Sequence, residues 1–300
     1  MIRTLSQMEE KVLALKKRLR IAVAWAQDAN TIGAIQKAVI NGFADAIMIG
    51  DSAEIKRVCS AENIDFKKFR VIDSPDESQA AAKAVSMAAE GEADIVMKGL
   101  VGTDKFLKAV MDKENGIMLP GAVLSYVAAI EISSRNKLLF ITDPAVIPFP
   151  DLSQKIAMAA YAIEMANKLG IVEPKLALIG ASEKPSRHFT YSADYLEMCK
   201  MAKDGKFGKC IMDGPLDLFL ACDPASVKIK GVETHVNGEA DILLFPSLES
   251  SNPFYKGLML FAGGELAGLI RGTTKPVVVM SRSESERSKY LCIALACLMA

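Results

Sequence analysis

Two segments carry side chains suited to binding and moving charged groups. The first, VMKGLVGTDKFLKAV at 96–110, closes an apolar run with Lys98-Gly99 and passes through Gly102-Thr103 into a helical pattern. Thr103 is a natural N-cap, and glycine lets a ligand come close to the backbone. A helix N-terminus offers free N–H groups and the positive end of a dipole, which suits a phosphate. Lys98 adds a point charge. The plainer reading is a capped helix after a strand, with Lys98 solvated. The second segment, VVVMSRSESERSK at 277–289, delivers Ser281-Arg282 to the end of a buried run. Arg282 can fork onto an anion, and Ser281 can donate to a developing oxyanion. Glu284 and Glu286 follow closely enough to accept a proton. The plainer reading here is helix capping, because Ser-x-x-Glu is a capping box and acids favour a first helical turn.

Two further segments are candidates. In KCIMDGPLD at 209–217, Asp213 ends an apolar run before Gly214. Asp213 and Asp217 are four apart and would share a helix face, a conceivable metal pair, although Pro215 argues for a loop there and a turn with an N-cap is the simpler role. In FPSLESSNPFYK at 245–256, Ser250, Asn252, Tyr255 and Lys256 lie in or just after a polar loop expected to precede a helix. Such a loop suits a polar cofactor tail or is plain surface. The six cysteines have no CxxC spacing and only His188 and His235 are present, so neither a zinc site nor a disulfide scaffold is expected. The cysteines read as buried free thiols, and the lone Trp25 as core.

These residues need strand ends to hold them. Short apolar runs, continuous rather than alternating, recur at 20–26, 44–50, 69–74, 93–99, 124–132, 137–142, 175–181, 209–213, 240–246, 265–270 and 277–281. Runs of that kind belong to strands covered on both faces. Amphipathic stretches lie between them, so the expected fold class is α/β with two open, mostly parallel sheets. Such sheets bind ligands at the carboxyl ends of their strands. DPAVIPFPD at 143–151, with three prolines, is the expected divide. It gives a first α/β domain at 1–145 and a second at 146–283, with the helix at 284–300 returning to the first.

Composition narrows the function classes. Lys+Arg and Asp+Glu balance at 36 each in 300 residues, against a general nucleic-acid binder. Hydrophobic residues are 51%, enough for a large core without metals or disulfides. The N-terminal segment alternates charge and lacks the apolar stretch of a signal peptide. No run approaches a bilayer span, and the protein is expected to be cytoplasmic.

Five landmarks fall in one order: ADIVMKGLVGTDKFLKAV at 93–110, ITDPAVIPFPDLSQK at 141–155, MDGPL at 212–216, ADILLFPSLESSNPFYK at 240–256 and KPVVVMSRSESE at 275–286. Together they resemble the phosphate acetyl/butyryl transferase family, its butyryltransferases most, over nearly the whole chain. The resemblance implies two α/β domains with a cleft between them, a fold similar to isocitrate and isopropylmalate dehydrogenases, and a homodimer. It implies a reversible reaction in which acyl-CoA and phosphate give acyl phosphate and CoA. In the thioester-forming direction the CoA thiolate attacks the acyl-phosphate carbonyl in a ternary complex. No metal, no tightly bound cofactor and no covalent enzyme intermediate enters.

Carried onto this chain, Arg282 would hold the phosphate and Ser281 would steady the oxyanion or the thiol. Glu284, then Glu286, would be the thiol base. Lys98, Gly99, Thr103, Asp213, Gly214, Ser250, Asn252, Tyr255 and Lys256 would line the substrates. The chain departs from the pattern at Gly102, where the family often has His, and at Lys108, where it has Arg. It also departs at Ile147, where it has Asn, at Tyr126, where butyryltransferases have His, and at Ser288, where acetyltransferases have Asp. The alternatives are a non-catalytic descendant that binds CoA or acyl phosphate, motivated by Gly102, Ile147 and Tyr126, and a metal- and NAD-dependent dehydrogenase on the same fold, motivated by Asp213 and Asp217.

Overall fold

The computed structural model describes residues 1–281 and 284–300. Along the chain run α1 (Leu5–Ala14), β1 (Leu19–Ala24), α2 (Ala29–Ile40), β2 (Ala44–Gly50), α3 (Ser52–Ala61), β3 (Arg70–Asp73), α4 (Glu77–Ala89), β4 (Ile95–Lys98) and α5 (Thr103–Val110). They are followed by β5 (Ser125–Glu131), β6 (Leu139–Thr142), α6 (Leu152–Lys168), β7 (Lys175–Ile179), α7 (Tyr191–Lys203), β8 (Ile211–Leu216), α8 (Leu218–Cys222) and α9 (Pro224–Lys230). Last come β9 (Ile242–Leu244), α10 (Leu248–Phe261), β10 (Glu265–Arg271), β11 (Val277–Val278) and α11 (Glu286–Met299). Each apolar run read from the sequence holds a strand, usually shorter than the run. Aspartates start many of the helices. Asp28, Asp51 and Asp76 each accept from backbone N–H groups of the first turn, and Asp151 forms a capping box with Gln154 on α6.

The chain divides into two compact units, Ser6–Ala122 with Ala267–Ala300, and Met1–Leu5 with Val123–Leu266. In the first, the strand order is β3-β2-β1-β4-β11-β10. Its pairs are parallel except β10 with β11. Ile21, Val23, Met48, Ile49, Val96 and Met97 are buried in it. α11 packs on α2, and its residues from Ser288 to Cys297 are all buried. An edge-on contact between Phe43 and Tyr290, centroids 5.7 Å apart, locks it in place.

In the second unit the order is β5-β6-β9-β7-β8, parallel except β5 with β6. The core here includes Phe140, Ile141, Leu178, Leu243 and Leu244. The units part at 122/123 and 266/267, not in the proline-rich segment at 143–151. The reason is pairing. β5 pairs with β6 and β6 with β9, so residues 123–142 belong to the same sheet as the strands after the prolines. The prolines serve a local purpose, ending β6 and leading to the Asp151 cap of α6.

The sequence reading of Asp213-Gly214-Pro215 is also corrected. The segment does not start a helix. It lies inside β8, where the register against β7 shifts between Ala177 and Ile179. A Cβ on Gly214 would come within 2.6 Å of the Leu178 carbonyl oxygen, so only glycine fits this irregular stretch.

Candidate active site

The carboxyl edge of the first unit gathers two of the chemistry-bearing segments. β4 lies between β1 and β11, with Lys98 level with Ala24 and Met97 level with Val278. Lys98-Gly99 and Met280-Ser281 therefore leave the sheet from adjacent parallel strands on the same side. From β1 the chain winds outward through β2 to β3, then returns to β4 on β1's other side. The gap between β1 and β4 is thus a topological switch point, where open α/β sheets place ligands. The strand ends are close here. Gly99 N–H donates to Ala24 O at 2.9 Å and Leu100 N–H to Trp25 O at 2.9 Å. A Cβ on Gly99 would lie 2.5 Å from Trp25 O, so the close approach demands glycine.

Lys98 is buried, and its Nζ donates to Gly99 O at 3.1 Å and Val101 O at 3.0 Å. Its ammonium braces the loop after β4 rather than standing in solvent. Thr103 is not the N-cap of α5. Gly102 holds that position, and Thr103 is the exposed first helical residue. The Gly102 N–H is met by Glu77 Oε2 at 2.9 Å, and Lys105 Nζ pairs with Glu77 Oε1 at 2.5 Å. A carboxylate from α4 thus does what the threonine hydroxyl was expected to do. It satisfies an orphan amide at the positive end of the helix and brings its own counter-charge.

After β11, Ser281 is exposed and Glu284 half-buried. Arg282, the expected phosphate ligand, lies outside the described residues. The Glu284 backbone is held from both sides. Its N–H donates to Ser281 O at 3.2 Å, and its carbonyl accepts from Asn30 Nδ2 at 3.3 Å. The loop after Ser281 is thereby tied to the start of α2. α11 begins on Ser285, whose hydroxyl accepts from Ser288 N–H at 3.1 Å, so Ser285 rather than Ser281 is the cap. Glu286 is the first helical residue, and its carboxylate lies across Gly33 of α2, 2.3 Å from where a Cβ there would stand. Beneath this loop, buried Lys289 donates to Asp28 Oδ1 at 2.9 Å and Thr31 Oγ1 at 3.1 Å. That pair pins α11 to the cap of α2.

The second unit holds the remaining candidates, and here contacts within the fold engage most of them. The segment 248–256 is helix, not loop, despite Pro253 inside it. Ser250 Oγ donates to Ser247 O at 2.8 Å, and Asn252 Nδ2 to Pro144 O at 2.8 Å. Tyr255 is half-buried and Lys256 exposed. Asp213 accepts from Thr234 Oγ1 at 2.8 Å, His235 N–H at 2.9 Å and Gly214 N–H at 2.9 Å. Asp217 caps α8 and pairs with Lys230. The two aspartates are used separately and form no metal pair.

Sequence reasoning passes over Asp143 and reads Trp25 as core. Asp143 is buried, and its Oδ1 accepts from Ala145 and Val146 N–H at 2.7 and 2.8 Å while Oδ2 accepts from Tyr126 N–H at 3.0 Å. Burial pushes its carboxyl up, and those amides work against the push. Ser251, also buried, donates to Asp143 O at 2.5 Å, so α10 is fastened to the end of β6. An aspartate closing an apolar strand just before proline was the available signal. The other residue is Trp25. It follows β1 in a left-handed turn (φ 57°) and is half-exposed instead of core. It lines a cleft of about 630 Å³ together with Leu100, Lys105, Glu77 and Ser78.

Comparison with known proteins matches this organisation. The family profile for phosphate acetyl/butaryl transferase covers residues 75–297. A phosphate butyryltransferase of Clostridium acetobutylicum is 38% identical over all of this chain and 99% of its own length. A phosphate acetyltransferase of Thermotoga maritima is 33% identical over 96% of this chain and 97% of its own. Among solved structures, a branched-chain phosphotransacylase from Enterococcus faecalis overlays with a TM-score of 0.82 at 29% identity, covering 93% of this chain and 98% of that one. A profile spanning most of the chain, full-length relatives and a shared fold agree: this chain belongs to the phosphate acetyl/butyryl transferase family.

Proposed function

We propose that the protein transfers a short acyl group reversibly between CoA and inorganic phosphate. The observation that carries this reading is the parallel pairing of β4 with β11, which brings Lys98-Gly99 and Ser281 to one edge of one sheet. Substrates bind there as a ternary complex with no metal and no tightly bound cofactor. The CoA thiol loses its proton to Glu284, and the thiolate attacks the acyl-phosphate carbonyl. Arg282 holds the phosphate and offsets the charge it gains as its bond to the acyl carbon breaks, while Ser281 steadies the oxyanion. Glu284 suits the role of base better than Glu286 because its backbone is fixed one turn from Ser281, whereas the Glu286 carboxylate rests on α2.

The same reading carries a cytoplasmic homodimer. α10 supports the dimer, since Ser251 is its only buried residue while Leu260 and Phe261 are 75% and 86% exposed. The test is a pair of variants. Arg282→Ala and Ser281→Ala should each cut turnover of acyl-CoA with phosphate by roughly a hundredfold or more with folding intact. Full rate in both would remove the site assignment.

A further inference from the structure

The segment that carries Glu284 is held by a helix far from it in sequence. We propose that Asn30, at the start of α2, is a positioning residue for acyl transfer: its side-chain amide holds the Glu284 carbonyl and thereby sets where the Glu284 carboxylate stands. The proposal rests on the reading of Glu284 as the thiol base.

The first turns of α2 cradle the start of α11 through three contacts, all within one compact unit. Buried Lys289 donates to Asp28 Oδ1 at 2.9 Å and Thr31 Oγ1 at 3.1 Å. The Glu286 carboxylate lies across Gly33. Asn30 Nδ2 donates to the Glu284 carbonyl at 3.3 Å, across 254 positions of sequence. The first two contacts fix α11 itself. Of the three, the last alone reaches ahead of the Ser285 cap, to the residue that carries the base.

Helix hydrogen bonding does not fix Glu284. The α11 ladder starts with Lys289 N–H on Ser285 O at 3.1 Å, and Ser288 N–H goes to the Ser285 hydroxyl. The Glu284 carbonyl lies outside that ladder. Its N–H is engaged with Ser281 O at 3.2 Å. With the amide held on one side and the carbonyl on the other, both peptide planes at Glu284 are fixed, and these set the direction of its Cα–Cβ bond. An asparagine near a helix start ordinarily bonds to its own neighbouring backbone. Here its donor is committed to another segment, and the capping of α2 falls to Asp28, which accepts from Thr31 N–H at 2.9 Å.

Magnitudes separate positioning from stability. Asn30 is exposed, and water competes for both partners of an exposed hydrogen bond, so its loss costs the fold little. Alanine also suits a helix better than asparagine. Catalytic geometry is far less forgiving. A base must lie within hydrogen-bond reach of its proton, and a misplacement of about 1 Å can cost roughly a hundredfold. Loss of the Asn30 amide should therefore show in kcat and not in stability.

The test uses the full-length protein with butyryl-CoA and phosphate. Asn30→Ala should lower kcat about tenfold with both KM values unchanged and a urea midpoint at or above that of wild type. Asn30→Gln, which keeps an amide donor, should recover most of the rate. In the Glu284→Gln background Asn30→Ala should cost nothing further, because the carboxylate it places is gone. A wild-type kcat in Asn30→Ala overturns the proposal, as does a rate loss matched by a fall in urea midpoint. So does a loss that persists undiminished in the Glu284→Gln background, since Asn30 would then act on something other than the base. Full rate in Glu284→Gln alone would remove Glu284 as the base and this proposal with it. The two failures are told apart because a failure of Asn30 alone leaves Glu284→Gln impaired.

Discussion

Gly99 and Trp25 meet backbone to backbone where β4 and β1 leave the sheet, with 2.5 Å between the Trp25 carbonyl oxygen and the place a Gly99 Cβ would occupy. Neither backbone can retreat without losing the Gly99–Ala24 and Leu100–Trp25 hydrogen bonds. Gly99→Ala should therefore cost about 1–3 kcal/mol in urea unfolding and lower activity with it. Gly257→Ala, within α10, meets only Phe261 Cδ2 at 4.0 Å. That change should stabilise by about 0.5–1 kcal/mol through helix propensity.

Glu284 and Glu286 are two residues apart and differently placed. Glu284→Gln should lower kcat by roughly a hundredfold or more, the usual effect of losing a general base. Glu286→Gln should leave kcat within about twofold, since its carboxylate rests on Gly33. Steady-state rates of the two purified variants decide this, and the reverse ranking would move the base to Glu286.

Lys289 is buried and bonded to Asp28, and the other Asp28 oxygen is buried without a protein partner. Lys289→Met should destabilise by about 3 kcal/mol because it strands a carboxylate. Adding Asp28→Asn should recover part of that loss in a double-mutant cycle. Strict additivity of the two changes would show that the pair is not coupled.

Much of the fold was legible in the sequence. All the apolar runs hold strands, because strands covered on both faces need continuous apolar stretches. Strand direction was not legible, since such a run reads the same either way. Nothing in the sequence marks β5–β6 as an antiparallel pair, and the prolines of 143–151 therefore look like the divide. β10, which spans one true boundary, carries no break in its sequence. At the site, strand-end positions such as Gly99 and Ser281 could be read from local pattern. The capping of Gly102 by Glu77 could not, because the two are 25 residues apart and meet only through the fold. The exposure of Trp25 depended in the same way on the turn that Gly99 permits.

Asp94 accepts from Arg20 N, Nε and Nη2, and the Arg20 guanidinium holds its carboxyl below the usual range. Between the folded and unfolded pKa values the unfolded chain binds more protons, so stability rises with pH there. The contribution is complete above the unfolded value of about 3.9 and is lost as pH falls through the folded value. Asp94→Asn should be less stable than wild type at neutral pH and lose less on acidification below that value. Urea midpoints measured across the acid range test this. Parallel curves for the two proteins would remove Asp94 as a source of acid sensitivity.

The thiols also have a stated behaviour. Burial pushes Cys199 and Cys297 up to about 12 and raises Cys59, Cys210 and Cys222. Thiolate is the reactive form, so native protein should react slowly with a disulfide reagent near pH 8, and all six cysteines should react on unfolding. Rapid reaction of the native protein would contradict that burial.

Slow protein thiols make the decisive assay clean. Purified protein is mixed with butyryl-CoA and phosphate, with acetyl-CoA in parallel, and free CoA thiol is followed against boiled-enzyme and phosphate-free controls. Release that requires phosphate is the expected result, with the ratio of the two rates giving the chain preference. No phosphate-dependent release with either substrate, from folded protein, would contradict the assignment of this chain as a short-chain phosphate acyltransferase.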